Sequence, residues 1–346
     1  MRARLAIILG VAALAVVGVV ALLGRGGQGT PVPVKPDFVP TPPGEHLQPL
    51  KDPFSYDPAR RRQFEARAAA GNAHVLYALS PGGAPATAAR VAGFRPLVNR
   101  AAKAAHVSTD DLEALVFLES AGRSDVLAPT GTEGAAGLTQ ILAETGINLL
   151  GMRVDVERSR RLSKRISSAR SERTARRLAA ERRAVDERFD PVKALAATGR
   201  YLELAEQRFD SEELAFVSYH MGIGNLESVL DAYAQGKTDE PLRYAQVYFD
   251  SSPTSHESAY AKLYSLGDDS SNYLWKLRAA KEILRLYRTD PEQLDQTAAL
   301  QSAKNSAEEV LPPSATTEAF APPGQLQAAW AAAEPVALGV STQHTG

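Results

Sequence analysis

The segment Ser108-Thr-Asp-Asp-Leu-Glu-Ala-Leu-Val-Phe-Leu-Glu-Ser-Ala-Gly122 does most to constrain this chain. Ser108 followed three residues later by Asp111 reads as a helix cap, so a helix starts near Thr109. Its apolar face runs Leu112, Leu115, Val116, and the next position in that series is Glu119, flanked by Phe117 and Leu118. A carboxylate on a buried stripe loses hydration, which raises its pKa. An acid kept protonated near neutral pH can give its proton to a leaving group. A glutamate so placed also has a plainer reading, as a salt-bridged, hydrogen-bonded or helix-end side chain. Residues downstream bear on the choice.

The helical period recurs along the middle of the chain. Pro58 suits a first turn, so a helix is expected over 59–70, stopped by Gly71-Asn72. Ala73 to Leu79 is apolar but too short to separate helix from strand. Further helices are expected at about 86–92, 95–105, 191–208, 211–220, 225–234 and 273–287. Strand candidates are few. The expectation is a mainly α domain over 54–290, large enough for a substantial core.

The flanks differ from this middle. Met1-Arg-Ala-Arg4 is a short positive stretch, and Leu5 to Leu23 is uncharged and apolar at about the length of a bilayer span. Residues 1–24 are therefore expected to be an N-terminal membrane anchor, with a cleaved signal segment as the alternative. Arg2 and Arg4 would keep the N-terminus inside. The domain would then sit on the outer, cell-wall side of the membrane, or be secreted. Residues 25–53 are rich in Gly, then Pro, and form a semi-extended spacer. Residues 291–346 are rich in Ala, Ser, Thr, Pro and Gln and read as a mostly disordered tail, with one short helix candidate near 324–333 around Trp330.

The chain has no cysteine, which excludes disulfides and thiolate metal sites. Its six histidines, His46, His74, His106, His220, His256 and His344, show no ligand spacing, so neither metal nor other cofactor is expected. Residues 153–188 hold thirteen Lys/Arg against six Asp/Glu, an excess of seven. This basic insertion reads either as a solvated helical hairpin or as a contact to an anionic polymer of the wall. Nucleic acid is not an expected partner for an exported domain.

Three segments add to Glu119. In Gly134-Ala-Ala-Gly-Leu-Thr-Gln140 the glycines bring backbone close to a ligand or a neighbouring helix, and Gln140 offers an amide. In Ala215-Phe-Val-Ser-Tyr-His-Met-Gly-Ile-Gly-Asn225, Ser211 caps a helix that ends near Tyr219, Gly222 and Gly224 stop it, and Asn225 can cap the next. Tyr219 at such an end can point its hydroxyl into a cleft or be a core tyrosine with a wet tip. In Asp268-Asp-Ser-Ser-Asn-Tyr-Leu-Trp-Lys276, Tyr273 and Trp275 could line a sugar site or pack a terminal helix.

Taken in order, Glu119-Ser120, Gly134 to Gln140, Phe189-Asp-Pro191 with Tyr201-Leu202, and Ser218-Tyr219 to Asn225 resemble the soluble lytic transglycosylase (SLT) family over about residues 94–287. The resemblance implies a lysozyme-like helical fold that cleaves peptidoglycan strands. It implies that Glu119 is the single catalytic acid/base and that Tyr219 hydrogen-bonds it. It also implies that Ser120, Gly137, Leu138 and Gln140, with Gly222, Asn225 and more loosely Tyr273, contact substrate. Thr139 and His220 depart from the family pattern, which has Met and Asn there. Asp125, Glu133 and Glu144 have no distinguishing context as a second carboxylate. The implied reaction is therefore a one-acid cleavage of the MurNAc–GlcNAc β-1,4 bond that leaves a 1,6-anhydro end. The alternatives are a hydrolytic muramidase on the same fold and a non-catalytic wall-binding protein.

Overall fold

The computed structural model describes residues 55–235 and 241–306, and within them the chain is mainly helical. Helices α1 (Arg61–Leu79), α2 (Ala84–Ala92), α3 (Arg95–Ala104) and α4 (Thr109–Ser120) come first. A two-residue hairpin follows, β1 (Ala135–Ala136) paired antiparallel with β2 (Ile141–Leu142), and then the short α5 (Ala143–Asn148). The basic stretch folds into α6 (Val156–Ser167) and α7 (Glu172–Val185). Next come α8 (Pro191–Phe209), α9 (Glu212–Met221), α10 (Ile223–Ala234), α11 (Tyr244–Asp250), α12 (Glu257–Ser265) and α13 (Gly267–Ser271). The series closes with α14 (Tyr273–Thr289) and α15 (Pro291–Ser306). This mainly helical arrangement with one minimal hairpin is consistent with a lysozyme-like SLT fold.

The caps read from the sequence set the helix starts. The Ser108 hydroxyl accepts from the Asp111 N–H, Ser211 from Leu214, and Asp190 from Val192. At the centre lies α14, whose Trp275, Leu277, Ala280, Ile283 and Leu284 are buried. It packs on α1 and α4. Leu112, Leu115 and Val116 of α4 are buried as their spacing predicts, but so are Glu113, Ala114 and Phe117. Thus α4 is enclosed on all sides rather than along one stripe.

Two expectations need correction. The first helix does not stop at Gly71-Asn72 but runs on to Leu79, with Asn72 Nδ2 donating to the Ala68 carbonyl. Tyr77 is buried in the core and Ala73 and Leu76 pack against it, so tertiary burial outweighs the local cost of one glycine. The segment read as a mostly disordered tail begins with α15, which docks on α14 and α1 through the buried Leu294. His74 Nδ1 also lies 2.7 Å from Gln301 Oε1. Asp290 caps this helix by accepting from the Gln293 N–H, and Pro291 suits its first turn. The anchor, the spacer, Trp330 and the 324–333 helix candidate lie outside the described residues. No described helix is long and apolar enough to cross a membrane.

One buried ion pair fastens the hairpin and the basic stretch to the body. Arg188 and Asp186 are both fully buried, with 2.8 Å between Arg188 Nη2 and Asp186 Oδ2. Arg188 Nε also donates to Asp186, while its two Nη atoms reach the carbonyls of Thr132, Gly134 and Ile141. All five guanidinium donors thus have acceptors. The Ser159 hydroxyl on α6 donates to Asp186 Oδ2 at 2.7 Å. Arg188→Ala would strand a buried carboxylate and three carbonyls. We expect it to cost about 3–5 kcal/mol of stability, read as a lower urea midpoint.

Candidate active site

Glu119 stands on the last turn of α4, just before Ala121 ends the helix in a left-handed conformation. The residue keeps a partial opening to solvent while protein crowds its carboxyl. Tyr273, the first residue of α14, donates its hydroxyl to Glu119 Oε1 at 2.8 Å. No ion pair reaches Glu119 among the described residues. Burial raises its pKa to about 7, against a smaller lowering by the Tyr273 hydrogen bond. The C-terminal end of a helix dipole acts in the same direction as burial.

A second buried carboxylate on the same helix shows what a structural role looks like. Glu113 is completely buried, and its Oε2 accepts from Arg95 and, at 2.6 Å, from Arg288. Those two guanidiniums also hold Asp110. Glu113 is therefore a charged strut between α3, α4 and α14. Glu119 has a phenol where Glu113 has two cations.

Around this pair sits an aromatic layer. The His220 ring stacks on Tyr273, with centroids 5.0 Å apart and planes at 7°. His220 reaches solvent at its edge, yet burial against its neighbours holds its pKa down, partly countered by Asp269. Tyr219, one residue earlier on α9, packs edge-on against Tyr201 at 5.2 Å. Burial pushes the Tyr219 phenol up, and the charge of Glu119 adds to this, which places the two close together. The Tyr219 hydroxyl, however, donates to the Thr139 carbonyl at 2.7 Å and lies 3.2 Å from Thr198 Oγ1. A phenol has one proton. The direct hydrogen bond to Glu119 that the resemblance gave to Tyr219 is made by Tyr273, and Tyr219 ties the 134–140 loop to α9 instead.

The other expected contacts are mostly turned to structural work. Ser120 is buried and its hydroxyl donates back to the Val116 carbonyl. Leu138 is fully buried in the core. Gly137 adopts φ +81°, and a Cβ there would come within 1.8 Å of the Arg188 carbonyl oxygen, so the glycine admits protein backbone rather than a ligand. Gln140 donates its amide to the carbonyls of Gly137 and Val126, closing its own loop. Gly222, at φ +87°, holds the cap position of α10. Asn225 is therefore not the cap: it lies within the first turn, exposed, with its amide donating to the Met221 carbonyl. Sequence reasoning missed His220 as the residue beneath Tyr273, although its place next to Tyr219 was the available signal. A groove of about 360 Å³ between α3 and α8, lined by Arg100, Leu195, Gly199 and Arg200 among others, includes none of these residues.

Glu119 is thus a buried acid without a cation, hydrogen-bonded by a phenol on a mainly helical scaffold. The model of the family described as transglycosylase SLT domain matches residues 165–241. This partial match supports a peptidoglycan-cleaving, lytic transglycosylase type of function in general. The matched stretch takes in Tyr219, His220 and Gly222 but does not reach Glu119. Neither the curated proteins nor the solved structures gave a match.

The raised pKa of Glu119 has a sign that can be checked. The protonated form is favoured in the fold, so its stabilising contribution is full below about pH 4.5 and is lost as pH rises through about 7. Glu119→Gln should therefore gain stability relative to the parent between pH 5 and about 8, seen in parallel thermal melts. Tyr273→Phe removes the bond that favours the carboxylate, so the pKa of Glu119 should rise further. The alkaline limb of any activity profile should then move to higher pH.

Proposed function

We propose that this protein is a peptidoglycan lytic transglycosylase that cleaves the MurNAc–GlcNAc β-1,4 bond with Glu119 as its only acid/base. The observation that carries the proposal is the setting of that carboxyl. Burial and the Tyr273 hydroxyl are what move its proton affinity, with no contribution from a second acid. Asp125, Glu133 and Glu144, the next three acids along the chain, are exposed, and the first two lie in the fields of Arg182 and Arg160. A hydrolase of the two-carboxylate kind would need one of them across the scissile bond.

Protonated Glu119 gives its proton to the glycosidic oxygen as the bond from that oxygen to C1 breaks. The acetamido oxygen of the same sugar supports C1 as the leaving end departs. The Glu119 carboxylate then takes the proton of the C6 hydroxyl while O6 closes onto C1 and the acetamido oxygen is released. The acid is restored, no water is consumed, and a 1,6-anhydro end remains. A group with a pKa of about 7 suits both halves of this cycle at neutral pH. Tyr273 fixes the carboxyl rotamer and can stay hydrogen-bonded to it in either protonation state. Tyr219 acts on the cleft wall through Thr139. The apolar run over residues 5–23 supports retention at the membrane with this domain on the wall side.

The test is mass analysis of muropeptides released from purified peptidoglycan. We expect anhydro ends, and we expect Glu119→Gln to lose activity by about a hundredfold or more while keeping a folded spectrum. Reducing ends formed with the addition of water would make the enzyme a muramidase. Binding without release by the parent would leave a wall-binding protein.

A further inference from the structure

We propose that the α6–α7 hairpin is a docking surface for a linear, phosphate-bearing polyanion of the cell wall that accompanies the glycan strand. This goes beyond bond cleavage and does not depend on turnover at Glu119. Between Val156 and Val185 the hairpin has eleven Lys/Arg and three Asp/Glu. Arg160, Arg161, Arg176 and Arg177 are paired with Glu157, Glu172 and Glu181. Arg182 is buried over the Phe189 ring. That leaves Arg158, Lys164, Arg165, Arg170, Arg173 and Arg183, all exposed and none in an ion pair among the described residues.

Part of this array sits in like-charge pairs along the helices. Arg160 with Lys164, Arg161 with Arg165, and Arg173 with Arg177 are like charges one helical turn apart, which destabilises a helix. The hairpin core is small, with Ser159, Leu162, Leu178 and Arg182 as its buried residues. Six cations are more than solubility of two short helices requires, and a counter-charge in trans removes the repulsion.

The distribution selects the partner. The cations run from the root of the hairpin at Arg158 and Arg183 to its tip at Arg170 and Arg173. They are spread along the length of both helices, which suits a chain of repeated charges rather than one small anion. An interfacial membrane helix needs an apolar face. Here Leu162 and Leu178 are turned inward, and Ile166 and Val185 are half-buried. A single-stranded nucleic acid is held on aromatic platforms, and neither helix has an aromatic residue.

The hairpin is also fixed in place. Ser159 and Arg188 join it to the Thr132–Ile141 loop through Asp186, and Thr139 of that loop accepts the Tyr219 hydroxyl beside Glu119. The hairpin and the surroundings of Glu119 therefore share one hydrogen-bonded frame.

The test titrates labelled poly(glycerol phosphate) into the full-length chain at low and high salt, for the parent and for K164Q/R165Q/R170Q/R173Q. The parent should bind with an affinity that falls steeply with salt, because binding releases counterions. The variant should bind about tenfold or more weakly, with an unchanged or higher melting temperature as the repulsion is relieved. No binding by the parent, or equal binding by the variant, would overturn the proposal. So would a variant that keeps the polymer but loses sedimentation with vesicles of phosphatidylglycerol and phosphatidylcholine in equal parts, or tighter binding of duplex DNA than of the polymer by the parent. Muropeptide release is a separate readout, so failure here and failure of the cleavage reading are distinguishable.

Discussion

A guanidinium with no access to water organises the side of the molecule that carries the β-hairpin and the basic helices. Arg188 makes five donated hydrogen bonds and one ion pair, and through them the hairpin, the basic helices and the start of α8 share one anchor. A charge without those partners would be prohibitively costly to bury. Its backbone has a role too, since the Arg188 carbonyl lies where a side chain on Gly137 would be. The Gly134–Gln140 loop is therefore positioned from behind, by protein, and Gly137 serves that contact.

The proposed chemistry rests on a contrast within one helix. Glu113 and Glu119 lie six residues apart on α4. The first is neutralised by Arg95 and Arg288 and stays a strut. The second meets a phenol, and desolvation without a compensating cation is what holds it near half-protonation at neutral pH. Burial alone does not separate a structural acid from a reactive one; the identity of the partner does.

Much of this was legible in the chain. Helix starts at Ser108, Asp190 and Ser211 are written in short-range capping chemistry, and they fall where the residues predict. The carboxylate on the Leu112–Leu115–Val116 stripe could be read for the same reason. Two helix ends could not. Whether Gly71 ends α1 is decided by what Tyr77 packs against, which is a property of distant helices. The start of α15 was written locally, in Asp290-Pro291 with Gln293 three residues after the cap, but the compositional drift toward Ala, Ser and Gln obscured it. The partner of Glu119 was the hardest to find, because Tyr219 and Tyr273 both approach the same cleft. Only the three-dimensional path shows that the first has spent its proton on Thr139.

The bond between Tyr273 and Glu119 joins residues 154 positions apart. A helix early in the domain supplies the acid, and the first residue of α14 supplies the hydroxyl bonded to it. Contacts of such separation form late, since the loop between them must close first. On the reading of Glu119 as the reacting group, a chain still being made or threaded through a membrane carries its acid without its guide. On that reading the acid and the hydroxyl that orients it meet only once α14 has packed against α4.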